Sequence, residues 1–135
     1  LIWLVAEDEA DIRNLVTTMI HVWGHETIAF ENGQKVWDWL DVLENGDQLA
    51  AAPDLILMDI RMPGKKGNEI AKRMRTLPQL ENTPIALMTA FSLSDHELQE
   101  MITTAGVDTV IGKPLPDFDH LRKTLYKLIE NKKRE

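Results

Sequence analysis

The stretch Leu55-Ile56-Leu57-Met58-Asp59 does most to restrict what this 135-residue chain can become. Four consecutive apolar residues run straight into a carboxylate. Turn residues follow, Met62-Pro63-Gly64 and then Gly67. A short apolar run bounded in this way reads as a strand buried on both faces. Parallel strands covered by helices have this pattern, because neither face meets water. Asp59 then stands at the carboxyl end of a central strand, where open α/β sheets build their sites. Taken alone, Asp59 is equally well explained as a helix cap or the start of a turn. Its partners elsewhere in the chain decide between these readings.

Strand-like and helix-like patterns alternate along the rest of the sequence. Ile2–Ala6 reads as a buried strand, and Glu7-Asp8-Glu9 opens a helix whose inward positions are Ile12, Leu15, Val16, Met19 and Val22. Gly24 ends it. A weaker strand spans Glu26–Phe30. After the Asn32-Gly33 turn comes a helix with Val36, Trp37, Leu40 and Leu43 on one face. Trp39 falls on another face and is expected to be partly exposed. An Ala-rich connection, Gln48 to Pro53, leads into the Leu55 strand. A helix from about Asn68 to Arg75 follows, with Ile70, Ala71 and Met74 inward. Pro78 and Pro84 break the next loop. The fourth strand, Ile85–Met88, ends in Thr89-Ala90. Ser94-Asp95-His96-Glu97 is a capping box for a helix expected to bury Leu98, Ile102 and Ala105 and to end at Gly106. Val107–Ile111 is the fifth strand, ending in Gly112-Lys113-Pro114. The last helix is expected to bury Phe118, Leu121, Leu125 and Leu128. Five βα units in series imply an α/β fold, a parallel sheet with helices on both faces.

Composition removes several alternatives. The chain has no cysteine, so disulfides and thiolate metal sites are excluded, and a reducing, cytoplasmic compartment fits. No apolar run approaches the roughly 20 residues of a membrane span. A net charge of −7 argues against direct nucleic-acid binding. The four histidines, His21, His25, His96 and His120, have no ligand spacing. No Gly-rich loop of the phosphate-cradling kind occurs. Residues 1–131 are expected to form one domain and residues 132–135 a charged tail. The chain begins at Leu1 rather than Met, which suits a piece of a longer protein.

The polar residues at the strand ends form a set. The first strand delivers Glu7 and Asp8, the third Asp59, the fourth Thr89 and the fifth Lys113. All these ends lie on one edge of a parallel sheet. Carboxylates brought together repel and need a cation. Oxygen ligands with room for water suit Mg²⁺, which takes phosphate readily as a co-ligand. A lysine supplies a point charge, a threonine hydroxyl donates to a phosphoryl oxygen, and an aspartate can accept a phosphoryl group. Each residue singly has an ordinary explanation: Asp8 as a helix N-cap, Thr89 as a strand end, Lys113 as a solvated cation. Together they suit phosphoryl transfer onto Asp59.

These motifs identify a resemblance. Glu7-Asp8, Asp59 followed by Met62-Pro63-Gly64 and Gly67, Thr89-Ala90 and Lys113-Pro114 resemble the receiver domain of two-component response regulators over essentially the whole chain. The resemblance implies a doubly wound, flavodoxin-like (βα)5 fold with strand order 2-1-3-4-5, an order the chemotaxis-type receivers exemplify. It implies a phosphorylation-activated switch, itself not an enzyme, that catalyses its own phosphoryl transfer and slowly loses the phosphoryl group. The donor would be a histidine kinase or histidine phosphotransfer protein. Asp59 would be the phosphoacceptor. Glu7, Asp8, Asp59 and the backbone carbonyl of Arg61 would form the Mg²⁺ site. Lys113 would pair with the phosphoryl group, Thr89 would be the switch hydroxyl, and the Lys113–Pro114 peptide would be cis. Three positions depart from the family pattern. Val110 replaces the usual aromatic switch residue, Lys65 and Lys66 precede Gly67, and Phe91 follows two beyond the threonine. Val110 and Phe91 are therefore expected to tune output and phosphoryl lifetime. The alternative is a receiver-like interaction module that works without phosphorylation. Intact Asp8, Asp59 and Lys113 argue against it. An aspartyl-phosphate hydrolase would need an acid where Arg61 stands.

Overall fold

The three most apolar strands of the sequence take the middle of the sheet. β1 (Ile2–Ala6), β3 (Leu55–Asp59) and β4 (Ile85–Thr89) lie side by side, with β2 (Glu26–Phe30) and β5 (Thr109–Gly112) at the edges. The order is β2-β1-β3-β4-β5 and every pairing is parallel. The computed structural model describes residues 1–45, 52–90 and 94–133. β3 and β4 are buried at every position. β2 has no buried residue, because an edge strand keeps one flank open and tolerates Glu26 and Thr27.

Side chains alternate across the sheet and build two cores. Leu4, Ile56, Met58, Ile85 and Leu87 face α2 (Gly33–Glu44) and α3 (Gly67–Met74), meeting Val36, Leu40, Leu43, Ile70 and Met74. Trp3, Val5, Leu55, Leu57, Ala86 and Met88 face α1 (Ala10–Val22) and α5 (Phe118–Lys133), meeting Val16, Met19, Ile20, Leu121, Leu125 and Ile129. Burying each large aliphatic side chain contributes about 1.5–3 kcal/mol. Both faces are thus needed to hold the five strands in register. Caps set the helix starts. The Asn32 side chain accepts from the Lys35 amide at 2.8 Å, and Ser94 and Glu97 form the expected capping box at the start of α4 (Asp95–Glu100).

Four expectations about faces and ends need correction. On α1, Leu15 and Val22 are 51% and 79% exposed, and Ile20 is buried instead. The apolar stripe of α1 is wider than its contact with the sheet, and position 20 falls on the inner line with 16 while 15 and 22 fall beside it. On α5, Ile129 takes an inner place, Phe118 is 46% exposed and Leu128 half-buried. α4 packs more lightly than its pattern suggests. Ile102 is exposed, Leu98 is half-buried, and Met101–Ala105 turns as a π-helix in which Ala105 alone is buried. The wider π turn rotates the face away from the simple helical period. Finally, β5 begins at Thr109, with Val107 and Asp108 leading into it. The Ala-rich connection lies mostly in residues 46–51, outside the described residues. α5 continues to Lys133, and Lys132 there pairs with Asp108 at 3.1 Å.

Candidate functional site

Register brings the strand ends level. Ala6 pairs with Met58, Asp59 with Met88 and Thr89 with Gly112. The residues just beyond or at these positions, Glu7, Asp59, Thr89 and Lys113, therefore gather at one edge without any long loop having to reach them. Short backbone bonds fix the ends. The Glu7 amide donates to the Phe30 carbonyl at 3.1 Å, Ile60 to Met88 at 2.9 Å and Lys113 to Thr89 at 2.7 Å.

Lys113 reaches across the edge. Its ammonium donates to Oε1 of Glu7 and, at 3.0 Å, to Oδ2 of Asp59. Glu7 is fully buried, while Asp59 and Thr89 are each 6% exposed. Asp8 is exposed, so the cluster opens to solvent on that side. Glu7, Asp8 and Asp59 each offer a carboxylate oxygen, and these oxygens all lie within 4.8 Å of one another. Asp8 is not the helix cap: Glu9 occupies that position, and it makes no side-chain cap bond. The Arg61 amide approaches Oδ1 of Asp59 at 3.4 Å.

Among the described residues, two of the three carboxylates, Glu7 and Asp59, share the Lys113 ammonium, and the electrostatics show the imbalance. Burial pushes the Glu7 carboxyl up to about 7, and Asp8 and Asp59 add to the rise, while the hydrogen bond from Lys113 opposes it without cancelling it. Burial alone would lower the Lys113 ammonium, but its bonds to Glu7 and Asp59 outweigh burial and leave it raised. Lys113 is therefore charged at neutral pH. The donor set consists of hard carboxylate oxygens with one side open to water, which fits Mg²⁺. Such an arrangement can attract a divalent cation and a phosphoryl group together.

Of the residues expected at the site, Glu7, Asp8, Asp59, Thr89 and Lys113 converge, and the Arg61 peptide borders them. The Lys113–Pro114 peptide is cis. Val110 lies on β5, half-buried against the core under α2 and α3. Phe91, expected to tune the site, lies outside the described residues. One contribution was not anticipated. Arg13, on the first turns of α1, donates to the Glu7 carbonyl at 2.8 Å and so secures the loop that carries Glu7 and Asp8. A long cation soon after a carboxylate pair was the signal available. Gly67 lets α3 start against the end of β3, since a Cβ there would lie 2.3 Å from the Asp59 carbonyl oxygen.

Residues 3–126 match the family model described as the response regulator receiver domain. The chain is 32% identical over 112 residues to the polar-differentiation response regulator DivK of Brucella anthropi, covering 83% of each chain. It is 31% identical over 128 residues to the sporulation initiation phosphotransferase F of Bacillus subtilis, covering 93% of this chain and 91% of that protein. Identity to the phosphate regulon transcriptional regulatory protein PhoB of Pseudomonas aeruginosa is 31% over 111 residues, which is 82% of this chain but 44% of PhoB. Among solved structures, the chemotaxis response regulator CheY4 of Vibrio cholerae superposes with a TM-score of 0.78 at 25% identity, covering 94% of this chain and 97% of that one.

Proposed function

The chain belongs to the response regulator receiver domain family of two-component signalling, and from that premise we propose that Asp59 is its phosphoacceptor. The observation that carries this is the convergence of the Glu7, Asp8 and Asp59 carboxylates, with Glu7 and Asp59 sharing the Lys113 ammonium. The donor is the phosphorylated histidine of a kinase or phosphotransfer protein, and the place of action is the cytoplasm. An Asp59 oxygen attacks phosphorus, the bond from phosphorus to the donor's imidazole nitrogen breaks, and the imidazole keeps the electron pair and takes up a proton. The product is an acyl phosphate on Asp59.

The surrounding residues position and neutralise. Lys113, already held to Asp59, supplies a positive charge to the incoming phosphoryl oxygens. The Thr89 hydroxyl, at the end of the neighbouring strand, donates to one of them. Glu7, Asp8, Asp59 and the Arg61 carbonyl would hold Mg²⁺. When bound, that ion supplies charge neutralisation for the carboxylates and the transferred group. Attack by water on the acyl phosphate returns the chain to its resting state, slowly, and no further reaction is assigned to it. Val110 has no ring to turn inward, so readout through β5 and α5 is weak.

Incubation with Mg²⁺ and acetyl phosphate, followed by intact-mass measurement, tests this reading. One phosphoryl mass is expected on the wild type, none without Mg²⁺, and none on Asp59→Asn. Uptake at an equal rate by the Asn variant would move the phosphoacceptor elsewhere.

A further inference from the structure

The loop after β3 carries the Arg61 peptide that borders Asp59, and it is held from outside the site. Its residues 63–65 lie directly on the start of α2. The Gly33 amide donates to the Pro63 carbonyl at 3.1 Å, and a Cβ at Gly33 would sit 1.8 Å from the Lys65 carbonyl oxygen. No other residue type fits at that approach. One turn along α2, the indole of Trp37 takes the Lys65 ammonium over its ring, 4.7 Å from the centroid. A second cation, Arg73 of α3, lies 4.4 Å from the same ring. Arg73 also donates to the Trp37 carbonyl at 3.2 Å and pairs with Asp41 and Glu44 at 2.6 and 2.8 Å. Trp37 is thus fixed by α3 and in turn fixes Lys65.

This arrangement explains two oddities. Trp37 is half-buried although it lies next to the inner line of α2, because its ring, packed against the core, also serves two cations. Lys65 is only half-exposed although it is a lysine on a surface loop. A cation over an indole face is attracted by the ring quadrupole, and Trp is the strongest partner.

We propose that Trp37 is a positioning residue. Through Lys65 it holds the β3–α3 loop against α2 and so keeps the Arg61 peptide beside Asp59. The inference rests on Asp59 being the phosphoacceptor, with the Arg61 carbonyl in its cation site. Loosening the loop should therefore weaken cation binding without touching any carboxylate.

The test uses Trp37→Leu, Lys65→Met, their double variant, and Trp37→Phe, which keeps an aromatic face. The first readout is amide hydrogen exchange without Mg²⁺. Amides of residues 64–66 should exchange about three-fold faster in Trp37→Leu and in Lys65→Met, as expected for an exposed cation–π contact, with β4 amides unchanged. The second is the Mg²⁺ concentration giving half-maximal phosphorylation by acetyl phosphate. It should rise by the same factor of about three, with the rate at saturating Mg²⁺ kept within two-fold. The double variant should be no worse than either single one, because both remove the same contact. Trp37→Phe should restore most of the effect. Unchanged loop exchange in both single variants, additive effects in the double variant, or equal losses in the Phe and Leu variants would each overturn the inference. Lys65→Met changes a loop side chain outside both cores, so it decides the matter even where Trp37→Leu does not fold. Failure of the wild type to take up any phosphoryl group would overturn the phosphoacceptor reading, while the exchange measurement would still decide whether Trp37 holds the loop.

Discussion

The two ends of the same sheet both bury charge, and they do so in opposite ways. At the carboxyl end, Glu7, Asp8 and Asp59 gather their carboxylates, the Lys113 ammonium joins Glu7 and Asp59, and negative charge is in excess. At the amino end, the Asp108 carboxylate faces two cations. Its Oδ2 accepts from the Ile85 amide at 2.8 Å and from Arg75 at 3.0 Å, and its Oδ1 pairs with Lys132 at 3.1 Å. Arg75 spends its remaining donors on the carbonyls of Leu80, Glu81, Thr83 and Gly106, at 2.7–3.2 Å. That cluster ties the loop before β4, the turn before β5 and the end of α5 together. There one carboxylate joins two cations, and backbone carbonyls take up the other guanidinium donors. The carboxyl end is mismatched, and the mismatch is what a cation and a phosphoryl group can relieve. Buried charge alone does not mark a site; carboxylates crowded together on a side open to solvent do.

The comparison breaks most sharply at Asp108. Asp108→Asn leaves Arg75 and Lys132 facing each other without their shared anion. Stability should fall by about 2 kcal/mol, less than for a fully buried pair because these side chains are partly exposed. Urea unfolding would show this, while phosphoryl uptake should persist. A loss under a few tenths would mean that the amino-end cluster is no clamp.

The reverse is expected at the other end. Without Mg²⁺, Asp59→Asn removes one of the crowded carboxylates and should raise stability by about 1 kcal/mol, since Lys113 keeps Glu7 as its partner. Adding Mg²⁺ should narrow the gap, because the ion stabilises the wild type by binding its folded state. A variant less stable than wild type in the absence of metal would show the cluster to be balanced after all.

The smallest effect concerns His25, packed between Trp3 and Tyr126 near the amino end, with its ring 4.9 Å from the Trp3 ring and Nε2 bonded to the Tyr126 hydroxyl. Burial holds its imidazole below the usual histidine range, and the nearby Arg122 charge also lowers it. The unfolded chain then binds a proton more readily than the folded one. The stability due to neutral His25 is complete above about pH 6.5, the unfolded value, and is lost as pH falls through the lower folded value. Wild type should lose more stability than His25→Phe between pH 7 and pH 5, followed by tryptophan fluorescence. Parallel losses would assign the acid sensitivity to other groups.

Much of this molecule was readable from its residues, and the reason is local. Continuous apolar runs at Leu55–Met58 and Ile85–Met88, bounded by turn residues, read as central strands, and a parallel sheet puts every strand end on one edge. Asp59, Thr89 and Lys113 were therefore locatable before any coordinates, as was the Ser94 cap, whose bonds span three residues. Tertiary structure decided what depends on partners distant in sequence. Which stripe of α1, α4 and α5 meets the sheet follows from the angle at which each helix lies, so Ile20 and Ile129 displaced Val22 and Leu128 from the inner line. The roles of Arg13, Arg75, Asp108 and Trp37 arise from contacts that span up to 36 residues and have no periodic signature. Periodicity reports which side of an element is apolar. Only packing determines where a long cation or an indole finds its partner, because that choice is made by geometry between elements and not within one.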